Sequence, residues 1–404
     1  MRDPGGAGRD IQSCIGVPHH HGRYDDDTVD AELPRSRSVS WGQEIATMTA
    51  AARCKGSVLV TGSAGLVGSA VVKQFAQYGW RVVGCDSFAR SQFFGAAADT
   101  RACHDSWRSQ YPAYQFECLD IRDSHRLSEL VRCVHPDLVV HAAAQPSHDY
   151  SAGHPELDFA VNATATLSLL QAVQLHCSES TFVFLSTNKV YGTAPNELPV
   201  VELDTRYDFA FPAHRCGLGE DTRIDQSLHS PFGVSKLAAD LMVQEYGRYY
   251  GLRTLCLRPG CIAGPGQMGV PLHGFLGHLI RCAITGSTYT VYGYNGKQVR
   301  DILHVSDLVA AIELFWDKAT QPAVYNIGGG RDNSVSIHEA AALVYELCGM
   351  RLNLEVSDSS RLGDHICYYT DTSRLQRELP WKPRVSLRST VAEVIEWCRL
   401  SRIT

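Results

Sequence analysis

From residue 58 onward the chain alternates short apolar runs with longer amphipathic stretches. The runs are Val58–Leu59–Val60–Thr61, Arg81–Val82–Val83–Gly84–Cys85, the segments 114–118 and 136–141, and Thr181–Phe182–Val183–Phe184–Leu185. Each is short, and all but the segment 114–118 are rich in Val, Leu or Phe, which predicts strands, most of them buried. Between them, residues 66–78, a stretch reaching about Val134, and 155–177 carry helical spacing, and 231–251 follows the last run in the same way. Strand and helix alternating five times predicts βαβ units, right-handed crossovers and a parallel sheet covered by helices on both faces. Ligands in such sheets bind at the carboxyl ends of the strands. Gly62, Asp86, Asp120, Ala142 and Thr187 all fall at those predicted ends.

The first strand runs into Gly62–Ser63–Ala64–Gly65–Leu66–Val67–Gly68, with glycines at three-residue intervals before a helix. Such a turn brings backbone N–H groups and the positive end of a helix against a pyrophosphate. The second strand ends at Asp86, 18 residues past Gly68, near the spacing of an acid that accepts hydrogen bonds from an adenosine ribose. Asp86 repels a 2′-phosphate, which favours NAD over NADP; Arg90 nearby softens that preference. At the third strand end Asp120–Ile121 presents an acid and an aliphatic side chain suited to an adenine edge and face, while Asp123 is also a good helix N-cap. Ala142–Ala143–Ala144 opens the turn after the fourth strand, where small side chains let a cofactor lie close.

The chain has 404 residues and a net charge of −6, with Lys and Arg dispersed, which gives no support for a nucleic-acid partner. No uninterrupted apolar run reaches the roughly 18 residues of a membrane span, and no signal peptide is visible. None of the 14 cysteines forms a C-x-x-C pair, and Cys85, Cys118, Cys256, Cys282 and Cys348 lie in apolar contexts. They read as small buried hydrophobes in a reducing cytoplasm, with a reactive thiol kept open at Cys216 and Cys261. Residues 1–47 lack apolar periodicity and read as a disordered tail, in which His19–His20–His21 is composition rather than a metal site. Met48 is a candidate start of the folded protein.

Three further segments go beyond a generic dinucleotide fold: Ser186–Thr187–Asn188–Lys189–Val190–Tyr191–Gly192, His229–Ser230–Pro231–Phe232–Gly233–Val234–Ser235–Lys236, and Leu257–Arg258–Pro259–Gly260. With them the chain resembles the extended short-chain dehydrogenase/reductase family of nucleotide-sugar epimerases and dehydratases, from about Gly56 to the C-terminus. Within that family, Gly296–Lys–Gln–Val–Arg–Asp301 and Asn326–Ile–Gly–Gly329 favour the branch that epimerises a CDP-hexose at C2. The resemblance implies a Rossmann-type doubly wound α/β sheet with a smaller, mixed C-terminal substrate lobe. It implies an NAD-binding domain mainly over residues 48–258, with a lid-like excursion at 193–230, and a substrate lobe mainly over 259–404, interleaved with the first. A homodimer or homotetramer is the implied assembly, and no metal is expected.

The same resemblance assigns cofactor contacts to Gly62, Ala64, Gly65, Leu66, Val67 and Gly68, to Asp86, Arg90, Asp120 and Ile121, to Ala142, Ala143 and Ala144, and to Asn162 and Lys236. It assigns substrate contacts to Thr187, Asn188, His273 and Arg300, the last as a guanidinium gripping the nucleotide diphosphate. In this family a sugar hydroxyl carbon is oxidised transiently and reduced from the opposite face. A Tyr takes the hydroxyl proton, a Lys four residues later holds the nicotinamide ribose and lowers the phenol pKa, and a Ser or Thr binds the reacting oxygen. Thr187 and Lys236 match two of these roles, but the tyrosine position is Phe232, which carries no ionisable proton. Three readings follow. Another group takes the proton, with Lys236 first and His229, Cys216, Cys261 or a water as others; the chemistry is a different one on a nucleotide sugar; or the protein binds NAD and nucleotide sugar without turnover. Arg258 reaches the sugar or orders the lobe, and Tyr191 reads as structural.

Overall fold

The computed structural model describes residues 55–357, 361 and 363–401. The expectations for the tail 1–47, His19–His21 and Met48 lie outside the described residues. Seven parallel strands form the main sheet: β1 Ser57–Thr61, β2 Arg81–Asp86, β3 Tyr114–Cys118, β4 Leu138–His141, β5 Thr181–Leu185, β6 Arg253–Pro259 and β7 Ala323–Ile327. Their order is β7-β6-β5-β4-β1-β2-β3, so the chain winds outward from β1 in both directions. In β1, Val58 pairs with Val82 on one side and Leu138 on the other.

The period of two along a strand sends alternate residues to opposite layers. Val58 and Val60 pack with Val71, Val72 and Phe75 of helix α1 (Leu66–Gln77). Leu59 packs on the other face with Leu127, Leu130 and Val131 of α2 (Ser124–Val134) and Leu169, Leu170 and Val173 of α3 (Ala165–His176). Both faces of the sheet are covered, which is why the strand sequences read as apolar runs. Helix α4 (Pro231–Tyr250) also belongs to this second layer, and α5 (Val305–Lys318) packs beside α1.

The smaller lobe has its own core of Leu279, Ile280, Val291, Ile302, Val344 and Val394. Its strand Val299–His304 pairs with Cys261–Ala263, Ser334–Ser336 and Cys367–Tyr368, and a separate pair joins Thr288–Tyr292 to Asn353–Ser357. Both α5 and β7 lie beyond residue 258 yet complete the first layers, so the two lobes are interleaved in sequence.

Three features differ from the sequence expectation. The loop after Asp86 contains helices Arg90–Phe94 and Arg101–Arg108, the latter anchored by buried His104 and Trp107. The helix over 155–177 is broken by a π turn at Ala160–Thr164, a feature common where a helix serves a site. No residue of the excursion 193–230, expected to be lid-like, lines the main cavity. The excursion folds into a hairpin of Val200–Glu202 with Tyr207–Phe209 and bridges to the substrate lobe through Leu218 and Thr370.

A candidate active site between glycine turn and substrate lobe

The glycine turn is closely packed. Gly62 has φ +69°, and a Cβ there would meet the Ala143 nitrogen at 2.6 Å. A Cβ at Gly68 would lie 2.1 Å from the Gly62 carbonyl oxygen. Only glycine lets α1 begin this close to the strand end. Asp86 braces the turn, accepting from the Ala64 N–H at 3.0 Å and the Phe88 N–H at 2.7 Å. Burial raises its pKa, and those N–H groups oppose the rise.

A cavity of about 600 Å³ starts at this turn and runs into the substrate lobe. Gly62, Gly65, Leu66, Val67, Gly68, Asp86, Arg90, Asp120, Ile121 and Ala142, Ala143 and Ala144 line it. Thr187, Asn188, Phe232, Lys236, His273 and Arg300 line it as well, and His273 stands against Arg90. The structure therefore gathers widely separated sequence positions onto one surface.

Two expected cofactor contacts stand behind that wall. Ala64 is buried and its N–H is taken by Asp86. Asn162 is buried and bonds to Gln145, Asp158 and Ser235. Two of the lining groups are already engaged: Asp120 is held by Arg122, with a 2.6 Å contact, and Arg90 bonds to the Met268 carbonyl oxygen at 2.6 Å and approaches His273 Nδ1 at 3.2 Å. Burial, then the Arg90 charge, lowers the His273 pKa to about 3, so its ring is neutral.

Ser230 caps α4, accepting from the Gly233 N–H, and Pro231 occupies the first turn. Phe232 and Lys236, four residues apart, then share one helix face. Lys236 Nζ donates to the Leu185 carbonyl oxygen at 2.5 Å and sits 4.1 Å from the centre of the Phe184 ring. Burial lowers its pKa to about 8, while Asp240 and Asp158 oppose the shift. Thr187 begins a short 3-10 turn, its hydroxyl accepting from the Lys189 N–H at 3.2 Å.

Arg300 binds Asp364 at 2.6 Å rather than its sequence neighbour Asp301. Asp301 is fully buried and instead accepts from the N–H groups of Gly330 and Thr370. Lys189 also pairs with Asp364 at 3.1 Å, and Arg361 pairs with Asp149 at 3.1 Å and lies over the Tyr292 ring. The charges of Arg300 and Lys189 hold Asp364 well below the usual carboxylate range against the cost of its burial. Lys189, Arg361, Asp364 and His148 line the cavity and were not singled out from sequence. Lys189 stood inside the recognised Ser186–Gly192 segment; the other three carried no motif.

The remaining candidates are outside the reacting region or unsuited to it. His229 does not line the cavity, and both its ring nitrogens face carbonyl oxygens, of Ser227 and Val190, at 2.9 Å. Cys216 is exposed elsewhere. Cys261 lines the cavity, but burial pushes its thiol up to about 12. Cys118, expected to be buried, is exposed. Arg258 orders the fold: it forks onto Asp240 at 2.8 and 3.0 Å and donates to the Tyr191 hydroxyl at 3.1 Å.

A doubly wound sheet, a glycine turn that admits no Cβ, and an acid at the second strand end define a dinucleotide-dependent enzyme fold. The chain belongs to the NAD dependent epimerase/dehydratase family, which matches residues 58–328. It is 30% identical over 353 residues to CDP-paratose 2-epimerase of Salmonella typhi, covering 84% of this chain and 98% of the relative. It is 27% identical over 362 residues to dTDP-glucose 4,6-dehydratase of Salmonella typhimurium, covering 84% and 92%. Among solved structures it resembles UDP-glucose 4-epimerase of Thermotoga maritima with UDP-glucose, at 25% identity and TM-score 0.69 over 86% of this chain and 99% of that one. It also resembles MoeE5 in complex with UDP-glucose and NAD, at 28% identity and TM-score 0.67 over 86% and 100%. NAD is the cofactor of this family, and the turn at Gly62–Gly68 with Asp86 beside it suits that group. No helix among the described residues is long and apolar enough to cross a membrane.

Proposed function

We propose that this protein epimerises a nucleotide-diphosphate hexose, at C2 of a CDP-hexose, through a transient ketone, with an active site altered at Phe232. The observation that carries the reading is one cavity holding Thr187 and Lys236 beside the cationic side chains Lys189, Arg300 and Arg361. The similarity to CDP-paratose 2-epimerase along nearly that protein's whole length supports the nucleotide and the carbon.

The residues divide the work. The glycine turn and Asp86 hold the adenosine and pyrophosphate end of NAD, and Ala142, Ala143 and Ala144 let it lie close. Bound there, NAD would supply the acceptor and donor for the carbon-bound hydrogen and its electron pair. Lys236 holds the nicotinamide ribose and keeps positive charge beneath the reacting oxygen. Thr187 hydrogen-bonds that oxygen. Arg300 and Arg361 meet the diphosphate, where a guanidinium fork matches two phosphate oxygens. His273 and its neighbours Pro271, Leu272 and Phe275 cover the nucleotide base, and Asn188 faces the sugar.

A dehydration needs an acid and a base on neighbouring carbons. The carboxylates lining this cavity are otherwise engaged: Asp149 by Arg361, Asp364 by Arg300 and Lys189, Asp120 by Arg122, and Asp86 by backbone N–H groups. That favours epimerisation. Exposed Val234, Leu241, Met242 and Tyr249 along α4 support the homodimer or homotetramer, and the twelve described cysteines, all free, support a reducing cytoplasm.

The test incubates NAD-loaded protein with CDP-, UDP-, GDP- and dTDP-hexoses in deuterated water and analyses the product's stereochemistry. Inversion at C2 of a CDP-hexose without deuterium at that carbon is the expected result. Retention of bound nucleotide sugar with no conversion across the panel would identify a non-catalytic binder instead.

A further inference from the structure

Phe232 leaves the proton of the reacting hydroxyl without an acceptor at the family's usual place. The Phe232 ring packs against His148, a ring with a lone pair, whose centre lies 5.2 Å from that of Phe232 at an interplanar angle of 54°. Both rings line the same cavity as Thr187 and Lys236. The Nε2 atom of His148 is shut off from solvent and has no hydrogen-bond partner among the described residues. A buried polar atom left unpaired is costly unless a ligand completes it.

The surroundings hold this ring in place. Gln145 clamps Ser147, accepting from its N–H at 2.6 Å and donating to its carbonyl oxygen at 3.0 Å. Ser151 donates to the His148 carbonyl oxygen at 2.7 Å and accepts from the Phe232 N–H at 3.2 Å. The loop that carries His148 is thus tied to the helix that carries Phe232 and Lys236. His141, buried at the end of β4, is satisfied by contrast: it meets Thr61 and Thr166 through its two ring nitrogens.

We propose that His148 Nε2 replaces the missing phenol, accepting the proton of the reacting sugar hydroxyl and returning it in the second half of the reaction. This rests on the epimerase reading above. The O–H bond breaks as an N–H bond forms on Nε2. The electron pair left on oxygen becomes the second bond of the carbonyl, while the carbon-bound hydrogen leaves with its own pair to the cofactor. The hydrogen and its electron pair then return to the opposite face of the carbonyl carbon while the N–H proton of Nε2 returns to the oxygen, so nothing is consumed. Lys236 is less suited to this step, because its ammonium already donates to Leu185.

Electrostatics keep the ring ready. Burial first, then the charge of Lys189, lowers the His148 pKa to about 3, with Arg361 and Arg300 acting in the same direction and Asp364 against them. The ring is therefore neutral, with a lone pair to offer. Asp149 is next to it in sequence and is paired with Arg361; His273 is the other ring coupled to it, and it is neutral too. A bound diphosphate adds negative charge against Lys189, Arg300 and Arg361, which raises the ring's proton affinity when substrate is present.

The test compares NAD-loaded wild type, His148→Gln and His148→Gln/Phe232→Tyr. With His148→Gln the expected result is a fall in kcat of about 10²–10⁴-fold, the range for a lost acid–base group, with CDP affinity by calorimetry held within about twofold. Recovery of turnover in the double variant supports the assignment. Turnover of His148→Gln within about threefold of wild type overturns this proposal alone, whereas a wild type that converts no nucleotide sugar overturns it together with the epimerase reading. A second measurement does not depend on the variant folding: ¹⁵N-histidine NMR of the wild-type holoenzyme. Adding CDP should move the His148 titration midpoint upward, and a midpoint that stays in place overturns the proposal.

Discussion

Asn162 and Gln145 are joined by two reciprocal hydrogen bonds. The Gln145 N–H donates to Asn162 Oδ1 at 2.9 Å, and Asn162 Nδ2 donates to the Gln145 carbonyl oxygen at 3.0 Å. The side-chain amide thus pairs with the main chain as a neighbouring strand would. The same Nδ2 reaches Asp158 Oδ1 at 3.0 Å and Ser235 Oγ at 3.1 Å, and Ser235 donates to Asp158 at 2.5 Å. Asn162 therefore ties the alanine wall of the cavity to the helix turn that bears Lys236, and the π turn at Ala160–Thr164 is what carries it there.

Removing that amide strands several buried groups at once. Asn162→Ala should cost about 2–4 kcal/mol, since Gln145 loses both main-chain partners in a dry environment. Urea denaturation gives the loss directly. Because the cavity wall loosens, the Michaelis constant for NAD added to stripped protein should rise as well.

The turn predicts a sharper effect at Gly68. A methyl group there must displace the Gly62 carbonyl, since the two would lie 2.1 Å apart. Gly68→Ala should purify without nucleotide, whereas the wild type should release NAD on acid denaturation. Gly79, where a Cβ meets nothing within 4 Å, has a φ of +79°, so Gly79→Ala should cost about 1 kcal/mol yet leave the nucleotide content unchanged.

Much of this was legible in the chain. Strands β1, β4 and β5 are buried along their whole length, so their apolar runs announce them, and the glycine spacing marks what lies at the end of β1. The positions of Thr187, Phe232 and Lys236 follow from motifs. What was not legible depends on contacts between distant segments. Asp364 acquires meaning only when Lys189 and Arg300 converge on it, and His148 only when its loop is set beside Phe232. Resemblance alone assigns Asn162 to the cofactor; its side chain is engaged with Gln145, Asp158 and Ser235 one layer behind the surface.

Lys236 opposes stability and function. Its folded pKa of about 8 lies below the ordinary 10.5, so between those values the unfolded chain binds more protons and stability rises with pH. Below about 8 the buried ammonium carries its full cost, on the order of 3 kcal/mol. Lys236→Met should therefore raise the melting temperature at pH 7 while lowering turnover at least about 100-fold. A variant that keeps wild-type turnover would remove Lys236 from the site.

Asp301 gives an opposite pH signature at a position away from the reaction. It is fully buried, Oδ2 accepts from Gly330 and Thr370 N–H groups, and Oδ1 has no partner among the described residues. Burial raises its pKa from 3.8 to about 6. Between those values the folded carboxyl keeps a proton that the unfolded chain has released, so stability falls as pH rises through the window. Above about 6 the loss reaches on the order of 3 kcal/mol, from about two units of displacement. Asp301→Asn keeps an oxygen for the two N–H groups and removes the charge. Measured by urea denaturation, the variant should gain about 2–3 kcal/mol on the wild type between pH 4 and pH 7; a difference that does not change with pH would mean the carboxyl titrates at its ordinary value.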